Sequence, residues 1–216
     1  MNKTNIKLFA IVGLIALTTS CKEEKKAVTQ EAKPIQEMVS AAKYKADPAK
    51  TFITWDAHKL VGGHQGTINA SGGVLKVENG KLVGGSFIID INSITCTDIP
   101  AGGKNDKLIA HLKNEDFFET EKFPNGAFEI TSVTNKAGKD IIAGNLSLKG
   151  VKKNIEFPAM VTISEASLMI TSEEFVIDRT DFNIMHNSAK TADATALGDY
   201  LIKDNVHITV NIIANK

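Results

Sequence analysis

At 216 residues, with 25 basic and 25 acidic side chains, the chain carries no formal net charge and lacks the basic excess that nucleic-acid partners require. Its length suits one domain with a substantial core and would crowd two. Its two cysteines, Cys21 and Cys96, cannot found a disulfide framework.

The chain begins with Lys3 and Lys7, then an apolar run from Leu8 to Leu17 that ends in Thr18-Thr19-Ser20 before Cys21. That run is too short to span a bilayer, and it is uniformly apolar where a buried helix would be amphipathic. It reads as a secretion signal over residues 1–20. Cys21 is then the expected acylated residue of a bacterial lipoprotein, although Thr18 stands where such cleavage sites usually carry Leu, with Leu17 one further back. Residues 21–43, polar and alternating in charge, read as a flexible tether. Lys22-Glu23-Glu24 fits equally a surface-export tag and a plain solvated charge run.

Residues 44–216 are read as the folded domain. Thr51 to Ala57 alternates with period two and places Ile53, Trp55 and Ala57 on one face. Gly62-Gly63 permits a bend before a second short strand over His64 to Ile68, and Gly72-Gly73 reads as a turn into Val74 to Glu78. Asn79-Gly80 is a strong hairpin signal, because both central residues of a type I′ turn need positive φ. The return strand, Lys81 to about Ile94, sets Phe87, Ile89 and Ile91 against Ser86, Asp90 and Asn92. Cys96 follows it and is read as a small, partly buried hydrophobe.

Leu108, Ile109 and Leu112 have helical spacing. An aromatic connection with Phe117, Phe118 and Phe123-Pro124 leads back to alternation at Phe128 and Ile130. So much apolar surface between two strands must cover something: a sheet, or the open end of a barrel. Further strands carry Leu146 and Leu148, then Ile155 to Ile163 with Pro158 marking an edge, bulge or end, then Phe175 and Ile177, and finally Val206 to Ile212. About eight strands joined by short turns make an all-β antiparallel fold. The periodicity suits a closed barrel and a two-sheet sandwich equally.

Arg179 falls in line with Phe175 and Ile177, so its charge must be paired, with Asp181 or Asp116 as the expected partner. A structural ion pair is preferred over contact with a ligand head group. Lys149, Lys152 and Lys153 suit a pyrophosphate at one mouth, or simply a basic turn in water. His58 and His64 flank a bend; satisfied polar histidines at a strand end are preferred over a pair that meets across it. No histidine spacing indicates a metal site, and no Gly-x-Ser-x-Gly, Cys-x-x-Cys or phosphate-binding loop is present. The expectation is therefore no metal, no catalytic residue and no enzyme.

The order His111-Leu112, Asp116-Phe117-Phe118, Phe123-Pro124 and Phe128 resembles the signature of the YceI-like family of lipocalin-like, polyisoprenoid-binding bacterial proteins. Gly144-Asn145-Leu146-Ser147-Leu148-Lys149-Gly150-Val151-Lys152-Lys153 through Phe157-Pro158, and Phe175 through Phe182, agree with it. The resemblance covers roughly Tyr44 to the C-terminus. It implies an about eight-stranded, lipocalin-like barrel with a short helix in a long connection and an elongated apolar pore.

On that barrel Trp55, Phe87, Ile89, Phe128, Ile130, Leu146, Leu148, Phe175 and Ile177 are expected to line or back the pore, with Phe117 and Phe118 closing part of it and Arg179 as the charged candidate. The implied ligand is an isoprenoid, a quinone or a prenyl pyrophosphate, held for storage or transport. Acylated Cys21 would tie the protein to the outer membrane of a Gram-negative cell envelope, facing the periplasm or the exterior; a homodimer stays open. The rival readings are a filled-barrel interaction protein displaying loops such as Asn183 to Ala196, and a lipid-modifying enzyme with a titratable cluster at the mouth.

Overall fold

A computed structural model describes residues 26–35 and 41–216. The expected signal segment and Cys21 lie outside the described residues. After β1 (Gln30–Glu31) come β2 (Ala42–Ala46), β3 (Phe52–Lys59), β4 (Gly63–Glu78) and β5 (Lys81–Asp90). Helix α1 (Lys104–Lys113) precedes β6 (Asn125–Lys136), β7 (Lys139–Leu148), β8 (Val151–Ile163), β9 (Ser167–Ser172) and β10 (Phe175–Asp178). A short α2 (Ala194–Leu197) and β11 (Ile202–Asn215) complete the described chain.

Every strand pairing is antiparallel, and the ladder β3–β4–β5–β6–β7–β8–β9–β11 returns to β3, closing a ring of eight strands. Closure removes most of the sheet edge, and what remains lies where β8 and β10 part without pairing. Two of its positions are shared. β2 continues the place of β3 between β4 and β11. β10 continues the place of β9 along β11.

Asn79 and Gly80 both have positive φ, 50° and 71°, so the expected turn joins β4 to β5. Gly72-Gly73 does not turn the chain. β4 runs straight through it, with a register shift between Ala70 and Gly72 that marks a bulge. A glycine pair permits either outcome, and here the long partner strand keeps its ladder. Pro158 likewise sits inside β8, opposite Ile141, and its carbonyl accepts from Glu173 N.

Residues 26–33, expected to be tether, occupy the seam between β8 and β10. Ala27 N donates to Val176 O, and Gln30 and Glu31 pair with Asn154 and Lys153. Lys33 exchanges two hydrogen bonds with the buried Asn145 side chain, which also accepts from Asn154 Nδ2. Backbone groups that β8 would otherwise leave open are thereby satisfied.

The two ends of the ring interior differ. Around β2 and the end of β11, Leu75, Ile142, Leu168 and Ile170 are each 1% exposed and pack with Tyr44, Val77, Leu82 and Ile212 into one core. The other end, under α1 and the following connection, is hollow.

Candidate functional site

Inward-facing residues of the ring wall surround a partly open cavity of about 150 Å³. Four phenylalanines run along one side. Phe157 stacks on Phe175 with centroids 4.5 Å apart and planes 6° apart, and Phe128 stands 5.4 Å from Phe87 and 5.6 Å from Phe157. These rings come from β5, β6, β8 and β10, and β7, between β6 and β8, contributes Gly144. A Cβ on Gly144 would lie 2.3 Å from the Phe128 ring, so the missing side chain lets that ring fold back against the wall.

Leu112 of α1 and Phe117 and Phe118 of the connection roof the hollow, with Ile184 and Ile202 at its rim. Trp55, Phe87, Ile89, Phe117, Phe118, Phe128, Leu146, Leu148, Phe175, Ile177 and Arg179 all line it. Ile130 does not. It shares their face but lies further along β6, opposite Gly85 and Gly144, outside the hollow's lining. Ile53, Ala57 and Phe157 also line the hollow and follow from the same alternation as their named neighbours. Ile184 and Ile202 carry no periodic signal and are placed by the tertiary fold alone.

Among the described residues Arg179 is the one charged residue lining the hollow, and it is 4% exposed. Its expected partners, Asp181 and Asp116, are not the ones it uses. Nε donates to Lys203 O, Nη1 to Ile184 O at 2.7 Å, and Nη2 to Ile202 O at 2.9 Å and to Asp204 Oδ1. β10 ends at Asp178, and a 3-10 turn over Arg179–Phe182 swings the side chain towards the start of β11. Arg179 therefore holds both ends of the rim segment in place. Burial pulls its pKa down, and Asp204 and Asp178 act against that.

Next to it, Asp178 accepts from Lys190 Nζ at 2.8 Å and from Thr180, and pairs with Lys26. Burial alone would raise its carboxyl, but the Lys190 and Thr180 hydrogen bonds win and hold it at about 2.

The three turn lysines do not converge on the mouth. Lys152 pairs with Glu129, Lys153 with Glu31, and Lys149 donates to Glu115 O. Burial lowers the Lys149 pKa. Trp55 Nε1 is buried and, among the described residues, has no hydrogen-bond partner in the protein.

Two clusters of metal-ligating side chains are brought together. In the first, Asp98 accepts from His64 Nδ1, Gln65 N and the Cys96 thiol, and these bonds hold its carboxyl well below the usual range against the raising effect of burial. Burial pushes the Cys96 thiol up, as befits the expected small hydrophobe. In the second, Asp116 Oδ2 lies 2.9 Å from His111 Nε2 and Asp116 Oδ1 lies 3.4 Å from His186 Nδ1. His58 and His64 do not meet; His58 pairs with Asp56 and meets the His207 ring edge-on. Sequence spacing could not show the second cluster, because His186 arrives from a distant segment.

Residues 44–214 match the family described as YceI-like domain. A UPF0312 protein of Shewanella denitrificans is 35% identical over 95 residues, 44% of this chain and 47% of the relative. One of Shewanella oneidensis is 32% identical over 125 residues, 56% of this chain and 63% of the relative. The chain thus spans between about half and two thirds of the length of these curated relatives. Among solved structures, Burkholderia cenocepacia BcnA superposes with a TM-score of 0.60 at 19% identity, over 78% of this chain and 99% of that one. A polyisoprenoid binding domain from Saccharophagus degradans, described as implicated in plant cell wall breakdown, superposes with 0.56 at 15% identity, over 82% and 99%. The likeness to both lies in the fold.

Proposed function

The chain belongs to the YceI-like family, and from that premise we propose that it binds one long apolar isoprenoid lipid in the hollow half of its ring. The observation that carries this reading is the hollow itself: aromatic and aliphatic side chains surround it, and the one charged residue lining it among the described residues, Arg179, already donates to three carbonyls and a carboxylate. In S. degradans the same fold is described as a polyisoprenoid binding domain.

Transferring about ten methylene equivalents at ~0.8 kcal/mol each is worth about 8 kcal/mol before association costs, so apolar contact alone supplies useful affinity. The engaged Arg179 and the dispersed turn lysines favour a neutral head group, such as a quinone, over a prenyl pyrophosphate, whose buried charge would need unengaged donors. The lipid is carried or stored, with no step of chemistry upon it. The same reading has Cys21 acylated and the protein held at the outer membrane of a Gram-negative envelope.

Native mass spectrometry of the full chain purified from its own membrane tests this. A co-purifying mass of isoprenoid size is expected. A protein that is consistently empty and does not take up added isoprenoid would overturn the proposal.

A further inference from the structure

We propose that His111, Asp116 and His186 form a binding site for one divalent transition-metal ion, placed over the roof of the hollow. Three side chains from three parts of the fold converge there. His111 comes from α1, Asp116 from the connection behind it, and His186 from the rim segment between β10 and α2. Their ligand atoms all lie within 4.8 Å of one another, and the two contacts to Asp116 are 2.9 and 3.4 Å. Ligand atoms of a tetrahedral ion with bonds of about 2.0–2.1 Å stand about 3.4 Å apart, so an ion fits between them after shifts of about an ångström.

The donor set is right for the class. Two imidazoles and one carboxylate suit zinc and its neighbours, and three protein ligands leave a fourth position open. Asp116 supplies the one carboxylate of the set. Metal binding would replace the two imidazole–carboxylate hydrogen bonds, with each ring proton moving to the nitrogen that faces away from the ion.

The other cluster contrasts with this one. Asp98 is already occupied by a backbone N–H, a thiol and an imidazole, and burial keeps the Cys96 proton in place. It is a structural knot that a metal would have to undo. Asp116 instead faces two imidazoles, with the Asn114 side chain as a further hydrogen-bond partner and no thiol or backbone N–H described on its carboxylate.

The site also has something to act on. The Phe117 ring lines the hollow and packs against both imidazoles, with centroids 5.0 Å from His111 and 5.1 Å from His186. An ion bridging the connection to the rim segment would fix that ring and clamp the cover. This consequence for a bound lipid rests on the function proposed above; the metal site does not.

The test uses metal-free full chain titrated with Co²⁺, read by visible absorption, and with Zn²⁺, read by competition with a chelating dye. Wild type and His64→Gln are expected to bind one ion with the intense visible bands of a tetrahedral cobalt site and to gain thermal stability with Zn²⁺. His186→Gln and His111→Gln should each weaken binding at least tenfold and lose the bands. His186 lies outside the ring and its side chain is a quarter exposed, so His186→Gln keeps the test informative should the helix variant misfold. Absent bands, unchanged binding in His186→Gln, or loss of binding in His64→Gln would each overturn the site.

Discussion

One half of the ring is filled and the other is hollow, although the strands that build them share one alternating pattern. In the filled half, branched aliphatics such as Leu75, Ile142, Leu168 and Ile170 reach the centre from opposing strands and meet. In the hollow half, aliphatics such as Ile89, Leu146 and Ile177 also face inward, but four flat rings lie along one side of the wall: Phe87, Phe128, Phe157 and Phe175 form a row, and Gly144 gives Phe128 room to lie back. Aromatic rings prefer one another's faces and edges, so a row of them holds to one side of the interior. Apolar alternation thus fixes what faces inward. A row of rings with one glycine behind Phe128 marks the half that stays open.

The largest expected effect breaks the rim that separates the hollow from solvent. Arg179→Met leaves the Ile184 and Ile202 carbonyls and the Asp204 carboxylate without their donor, and should cost about 3–5 kcal/mol in urea unfolding. Truncation on either side then compares the halves directly. Ile142→Ala should cost about 3 kcal/mol or more, because it opens a cavity in packed surroundings. Ile89→Ala, beside space that already exists, should cost only the transfer contribution, about 2 kcal/mol.

Acid sharpens the contrast at Asp178. Its folded pKa of about 2 lies below its ordinary value of 3.8, so its stabilising contribution is complete above about pH 4 and is lost as pH falls through 2. The loss amounts to about 2 kcal/mol, and Asp178→Asn should remove that part of the acid sensitivity. Comparable in stability but larger in function is Gly144→Val. It should push the Phe128 ring into the hollow and weaken lipid binding at least tenfold, while overpacking lowers stability in urea unfolding by about 1–3 kcal/mol.

The strands and the Asn79-Gly80 hairpin were legible because period-two alternation and positive φ are local properties. Most of the hollow's wall was legible for the same reason: Trp55, Phe87, Phe128, Leu146 and Phe175 each sit on an unbroken alternating run. Ile130 shows where that reasoning stops, since alternation gives a residue's face and not its depth along the ring. The partners of Arg179 were hidden because three of them are backbone carbonyls, which carry no sequence signature. The segment 26–33 looked like tether because its composition is polar. It is ordered by backbone pairing in the seam and by the buried Asn145, neither of which composition reveals.

The central claim is that the hollow half accepts a hydrocarbon tail, and the chain's single tryptophan, Trp55, stands in its wall. Titrating delipidated protein with an isoprenoid quinone, and separately with the same quinone ring lacking its tail, should quench Trp55 fluorescence saturably at one equivalent for the tailed compound and weakly without saturation for the bare ring. Equal quenching by both, or no saturable quenching by the tailed quinone, would contradict the account.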